Sequence, residues 1–237
     1  MIKYLKLLRV EQWVKNFFVF IPLFFSGNIT HPNFFVKSVF AFIVFSLIAS
    51  SIYILNDYKD IEADQKHPEK KDRPLANGSI SKTTALFLFT TLISAVAMLV
   101  FFGQEYFHKN LWKFAVIIGS YFIMNLAYTF RLKHVAIVDI FIIAIGFVLR
   151  VLAGGYATGI KISQWAILLT FVLALVLAVG KRRGELINAA ISGKTRKALD
   201  GYNVQFADIV LSISVTLAVI CYLMFTLTPE VQERFGV

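Results

Sequence analysis

Charge is scarce in this chain. Only 16% of its 237 residues are Asp, Glu, Lys or Arg, and acids are the scarcer sign, 14 against 24 basic residues. Soluble domains carry about 25% charged residues, which makes a soluble globular fold a poor match, and a hydrophobic share of 58% excludes a disordered chain. Cys221 is the sole cysteine. It rules out a disulfide or a cysteine metal site within one chain, and mid-span it reads as a small packing side chain.

What is abundant comes in blocks. Uncharged runs cover residues 16–36, 38–56, 83–104, 114–130, 162–180 and 209–229, each close to the roughly 20 residues a helix needs to cross about 30 Å of hydrocarbon. A further run, 136–155, is interrupted only by Asp139 and Arg150. A membrane β-barrel would alternate in hydrophobicity, and these runs are continuous. The expected fold is all-α, a polytopic transmembrane helical bundle of seven spans in a single integral membrane domain over residues 1–237. No small-residue cleavage site follows the basic residues 1–15, so this start is expected to belong to the mature protein.

Lys and Arg set the expected orientation. Of 24 basic residues, 18 fall in the N-terminus and in segments 56–83, 131–135 and 181–207, five fall in the opposite gaps, and Arg150 lies inside a span. By the positive-inside rule the N-terminus is cytoplasmic, the C-terminus is outside, and two long loops face the cytoplasm of an inner or plasma membrane. Such a basic face also attracts anionic lipid, by about 1 kcal/mol per residue. Membrane lipid, not nucleic acid, is its expected partner.

Topology alone leaves the acids among those bases unexplained. After the second span the chain reads Asn56-Asp57-Tyr58-Lys59-Asp60-Ile61-Glu62-Ala63-Asp64. Asp57, Asp60 and Asp64 are spaced by three and four residues, so a helix continuing past the membrane would line them on one face. Like charges so placed repel unless a cation sits between them. Mg²⁺ suits hard oxygen ligands and typically combines one or two carboxylates with water and substrate phosphate. Asp57, Asp60 and Asp64, helped by the Asn56 amide, are therefore candidate metal ligands, while Glu62 falls off the stripe. An ordinary polar turn at the membrane edge is the competing reading. Downstream, Lys70-Lys71-Asp72-Arg73-Pro74-Leu75-Ala76-Asn77-Gly78 is too rich in breakers to be helix throughout. It can bring Arg73 and Lys70 beside the acids, a guanidinium facing the metal across a diphosphate.

The Asn-Asp-x-x-Asp-x-x-x-Asp pattern followed by Arg-Pro-Leu-x-x-Gly resembles the first aspartate-rich motif of the UbiA superfamily of intramembrane prenyltransferases. The resemblance implies a helical bundle that binds a diphosphate through Mg²⁺ at its cytoplasmic mouth and holds a lipid tail between helices. Aromatic prenyltransferases of the superfamily carry a second aspartate-rich motif, where this chain has Gly180-Lys181-Arg182-Arg183-Gly184-Glu185-Leu186, with Tyr202 and Asp208 later. A site this basic suits further phosphate. Together with Leu8–Asn16 before the first span, Tyr128-Thr129-Phe130-Arg131-Leu132-Lys133-His134 and the 145–155 segment around Arg150, the pattern resembles the decaprenyl-phosphate phosphoribosyltransferase branch, from about residue 8 to residue 225. Members usually have nine spans. Either two helices follow Val237, or lipid or a second copy in a homo-oligomer closes the cavity.

That branch implies transfer of 5-phosphoribose from phosphoribosyl diphosphate to a polyprenyl (decaprenyl) phosphate, releasing diphosphate, on the route to arabinose donors of the cell envelope. Its acceptor is an ionised phosphate, so no strong base is needed. Asp57, Asp60 and Asp64 would hold Mg²⁺. Lys181 and Arg182 would take donor phosphate oxygens, with Glu185 orienting them or touching a ribose hydroxyl and Tyr202 adding a hydrogen bond. Lys15, Arg131 and Lys133 would hold the polyprenyl phosphate, and Tyr128 with Lys133 matches a Tyr-x-x-x-x-Lys element. Asp139 is expected to line the cavity beside Lys133, and Arg150 to be structural. Two other readings remain: an aromatic prenyltransferase using an allylic diphosphate, and a non-catalytic lipid or ion carrier.

Overall fold

The computed structural model describes residues 2–107, 111–192 and 201–235. Lys109, Lys194, Arg196 and Lys197 of the charge count, and the side chains of His134 and Arg234, lie outside what it describes. The described residues form α1 (Ile2–Leu8), a 3₁₀ helix (Val10–Phe20), α2 (Ile21–Phe25), α3 (Pro32–Lys59), α4 (Ile61–Gln65), α5 (Lys82–Phe107), α6 (Leu111–Phe130), a short 3₁₀ turn (Leu132–His134), α7 (Val138–Thr158), α8 (Gln164–Ser192), α9 (Val204–Thr226) and α10 (Pro229–Phe235). Six helices among them, α3 and α5 to α9, are long and apolar enough to cross a membrane.

The first of the seven expected spans, residues 16–36, is not one helix. Helical backbone begins earlier, at Val10, runs as 3₁₀ to Phe20 and ends at Phe25. Pro22 sits in the first turn of α2, Gly27 leaves the helical region at φ +67°, and Pro32 opens α3. Proline has no amide donor and glycine tolerates positive φ, so apolar composition continues where the helix cannot.

Contacts divide the chain into two compact units, residues 1–129 with 150–160, and residues 130–149 with 161–237. In the first, α3 is the central element. It has 28 residues, about 42 Å at 1.5 Å per residue, so it can cross the hydrocarbon and still project its last turns into the interface. Its buried face carries small residues, Ala41, Ser46, Ala49, Ser50 and Ser51, which let neighbouring backbones approach. The Trp13 indole donates to Ser50 Oγ (3.0 Å), and that hydroxyl donates to the Leu8 carbonyl (2.8 Å). Beyond the helix end, Leu75, Ala76 and Ile80 are buried, and Leu75 and Ile80 pack with Leu7, Ile54, Ile61 and Ala85. This folds the 66–81 loop back over α3 and α4.

Arg150 is buried in the same unit. Its Nε donates to Asn16 Oδ1 (2.9 Å), its guanidinium donates to the Tyr121 hydroxyl (3.0 Å), and it stacks over Phe45 and Tyr121. Asn16 in turn donates to Ser46 (3.0 Å). The structural role expected of Arg150 is thus a tie between α7, the first 3₁₀ helix and α6. Arg150→Ala is expected to cost about 2–4 kcal/mol, because it removes packing and leaves buried acceptors unpaired. SDS titration of the detergent-solubilised protein measures this.

In the second unit, Ile140 and Ala144 of α7 pack against Ala174, Leu175, Ala178 and Val179 of α8, with Tyr202 and Ala207 completing the cluster. Asn203 caps α9, accepting from the Phe206 amide (2.7 Å), as a helix N-cap residue does.

Candidate functional site

The carboxylates of the first unit sit where α3 ends. The helix stops at Lys59, Asp60 takes a non-helical conformation (φ −96°, ψ 11°), and α4 starts at Ile61. A continuous acidic stripe is therefore broken at its middle residue. Asp57 and Asp64 are nevertheless buried, at 2% and 4% exposure, and Asp60 is half-buried.

Arg73 joins the two buried acids. Its NH1 donates to Asp57 Oδ1 (3.1 Å) and to Asp64 Oδ2 (2.6 Å), and Lys70 Nζ approaches Asp64 at 4.0 Å. The loop geometry explains its place: Asn77 N bonds back to the Arg73 carbonyl (2.9 Å), Gln65 donates to the Ala76 carbonyl (3.0 Å), and Gly78 turns at φ +74°. Arg9 also donates to Asp57 and lies 4.8 Å from the Tyr53 ring centroid. Sequence reasoning did not single out Arg9. No spacing rule links it to Asp57, 48 residues away, and the only local sign is its left-handed backbone (φ 49°) between α1 and the 3₁₀ helix, invisible in sequence. Asn56 accepts from Thr129 Oγ1, and Lys59 donates to the Thr129 carbonyl (2.9 Å).

Among the described residues no three His, Cys, Asp or Glu side chains converge as a metal-binding group. The donors brought together are the two buried carboxylates of Asp57 and Asp64, hard oxygen ligands joined through Arg73, with Arg9 and Lys70 beside them. That set fits a Mg²⁺ that takes one or two carboxylates and is completed by water and phosphate oxygens, and it does not make an all-protein cage.

The second unit holds a separate polar network. Asp139, fully buried in the first turn of α7, accepts from Arg182 Nε at Oδ2 (2.8 Å) and from the Tyr202 hydroxyl at Oδ1 (2.6 Å). Arg182 also donates to Glu185 (2.6 Å) and is only 7% exposed. Both partners of Asp139 come from elements that spacing within α7 could not reveal. Burial, then its bond to Asp139, raises the Tyr202 hydroxyl above the usual tyrosine range, so it stays a donor at physiological pH. Lys181 and Arg131 are exposed, Lys133 and Tyr128 half-buried, and Lys15 is exposed on the first 3₁₀ helix. Arg183 pairs with Asp208 at the surface (2.5 Å). Of the expected donor contacts, Lys181 is the accessible cation, while Arg182 is engaged between two carboxylates.

The UbiA prenyltransferase family profile matches residues 17–182. The chain belongs to this family. Its membership fits the apolar helices, and this UbiA family member is an integral, multi-pass membrane protein. It is 40% identical over 223 residues to the decaprenyl-phosphate phosphoribosyltransferase of Mycolicibacterium smegmatis, a match covering 92% of this chain and 68% of that one. It is 37% identical over 226 residues to the protein of the same name from Mycobacterium tuberculosis, covering 92% and 71%. A UbiA homologue from Archaeoglobus fulgidus, solved with GPP and Mg²⁺, shares the fold with a TM-score of 0.71 at 20% identity, over 97% of this chain and 81% of that one.

Proposed function

We propose that this UbiA family member transfers 5-phosphoribose from phosphoribosyl diphosphate to a polyprenyl phosphate, decaprenyl phosphate in the first instance, and releases diphosphate at the cytoplasmic face of the membrane. The observation that carries this reading is the 40% identity to a decaprenyl-phosphate phosphoribosyltransferase across 92% of the chain. The basic Lys181–Arg182–Arg183 segment supports it, where an aromatic prenyltransferase would carry a second acidic motif.

In this reading Asp57 and Asp64, helped by Asp60 and Asn56, would hold Mg²⁺, and Arg73, which bonds both buried acids, would face the diphosphate. Bound Mg²⁺ would neutralise charge that builds on the leaving diphosphate. Departure of that group from the anomeric carbon is the demanding step, since it passes through an oxocarbenium-like transition state, and fixed cations aimed at the developing charge lower its barrier. Arg73 and Lys181 are such cations. The acceptor phosphate oxygen is already ionised at neutral pH, so the chain needs no general base. Arg131 and Lys133 are the second unit's candidates for the acceptor's phosphate and Lys15 and Tyr128 the first unit's, and Glu185 and Asp139 keep Arg182 in place next to Lys181. The route to cell-envelope arabinose donors would consume the product.

Purified protein with Mg²⁺ is expected to move radiolabelled phosphoribose onto decaprenyl phosphate. Turnover of an allylic diphosphate with an aromatic acceptor instead would overturn the proposal. Lys181→Ala is expected to weaken phosphoribosyl diphosphate by about tenfold, the scale of one lost charge-assisted contact, and inorganic diphosphate by much less. Equal weakening of both, measured by calorimetry, would confine Lys181 to the diphosphate.

A further inference from the structure

The connector between α6 and α7 contains an unusual backbone turn. Ile137 has φ +71°, and the Val138 amide bonds to the Ala136 carbonyl two residues back (2.8 Å). Together these describe a γ-turn of the rare positive-φ kind, with a β-branched residue at its centre. The Ile137 side chain is 43% exposed, so burial of that side chain does not hold the turn. Strain of this sort persists only where the surroundings over-determine it.

Those surroundings come from residues 201–202. A Cβ on Gly201 would lie 2.4 Å from the Ala136 Cβ, so only glycine lets the two segments touch here. Next to it, the Tyr202 hydroxyl accepts from the Ile137 amide (2.6 Å) and donates to Asp139 (2.6 Å), one contact on each side of Val138. The far side is anchored. The Tyr202 ring is buried in the α7–α8 core cluster and faces Phe206 at 6.0 Å, and the following Asn203 caps α9. A strained turn is thus clasped by a residue held at both its ring and its backbone.

What stands on either side of the turn gives the clasp a use. Lys133 precedes it in the 3₁₀ turn, and Asp139 follows it with Arg182 and Glu185 attached. We propose that Gly201 and Tyr202 are positioning residues that lock the 135–139 connector in its γ-turn, and so set together the Lys133 that grips the acceptor phosphate and the Arg182–Glu185 pair that supports Lys181. This rests on the phosphoribosyl-transfer reading for the roles of those cations; the lock itself does not.

Tyr202→Phe tests it, because phenylalanine keeps the ring in the core and removes only the hydroxyl. Amide hydrogen exchange of the 132–140 peptide, read by mass spectrometry in detergent without substrate, is expected to speed up about tenfold at Val138, while transfer falls about tenfold or more in kcat in protein that still elutes as a folded, monodisperse species. Adding Ile137→Gly, which adopts positive φ without strain, is expected to restore Val138 protection and most of kcat. Unchanged exchange in Tyr202→Phe overturns the lock. Faster exchange with full activity overturns the positioning role, and lost activity that Ile137→Gly does not restore also overturns it and makes Tyr202 a direct substrate contact. Absence of phosphoribosyl transfer in the wild type would instead remove the functional reading, while the exchange experiment still decides the lock.

Discussion

Asp57→Asn and Asp64→Asn, made separately, are each expected to lower Mg²⁺-dependent phosphoribosyl transfer by about 10²–10³-fold, the effect of removing one group that stabilises developing charge at a reacting centre. Asparagine preserves volume at two buried positions, so the loss does not come from a cavity. What disappears is the negative charge that would hold the cation. Donor binding titrated against Mg²⁺ separates this from a structural effect. The metal role predicts that the variants bind phosphoribosyl diphosphate equally poorly with and without Mg²⁺. A role confined to pairing with Arg9 and Arg73 predicts a less stable protein whose donor affinity still rises with Mg²⁺. The two acids should also differ. Asp57 neutralises two guanidiniums and Asp64 one, with Lys70 beyond. Asp57→Asn is therefore expected to lower stability more, because it leaves more uncompensated positive charge near the helix end.

Gly154→Ala is expected to prevent the first unit from folding. A Cβ there would lie 1.9 Å from the Val19 carbonyl oxygen and 2.9 Å from its carbon, and both belong to backbone, which cannot rotate away as a side chain can. The two helices would have to separate, parting Asn16 from the Arg150 guanidinium it accepts from. The cost should exceed about 4 kcal/mol, the range reserved for substitutions with such a named cause. Size-exclusion chromatography in mild detergent reads the outcome as loss of the monodisperse peak. Gly119→Ala is the matched control: nothing lies within 4 Å of its added Cβ, so this variant should elute as the wild type does. A monodisperse Gly154→Ala protein that still binds donor would show that the contact can open at little expense.

The Asp57–Arg73 association was legible because both ends carry sequence signals. Three acids at helical spacing imply a cation among them, and a Pro- and Gly-punctuated basic stretch just downstream is short enough to supply it. The break at Asp60 was not legible. It depends on how residues 61–80 fold back onto Leu7 and Ile54, a tertiary matter that overrides the local tendency to continue the helix. Arg182 shows the opposite case. Its basic neighbourhood pointed to phosphate, yet burial against Asp139 and Glu185 turns it inward, while Lys181 beside it stays exposed.

By itself the sequence determined that this is a membrane protein of helices, since apolar runs of spanning length admit no other structure in hydrocarbon, and it determined which loops carry acids and which carry bases. The exact course of the first apolar run, the partners of Arg9, Arg150 and Asp139, and the γ-turn clasped by Tyr202 were decided only in three dimensions. Hydrophobic length is a property each segment owns alone, whereas a buried charge or a strained turn is tolerated only where distant residues happen to meet it.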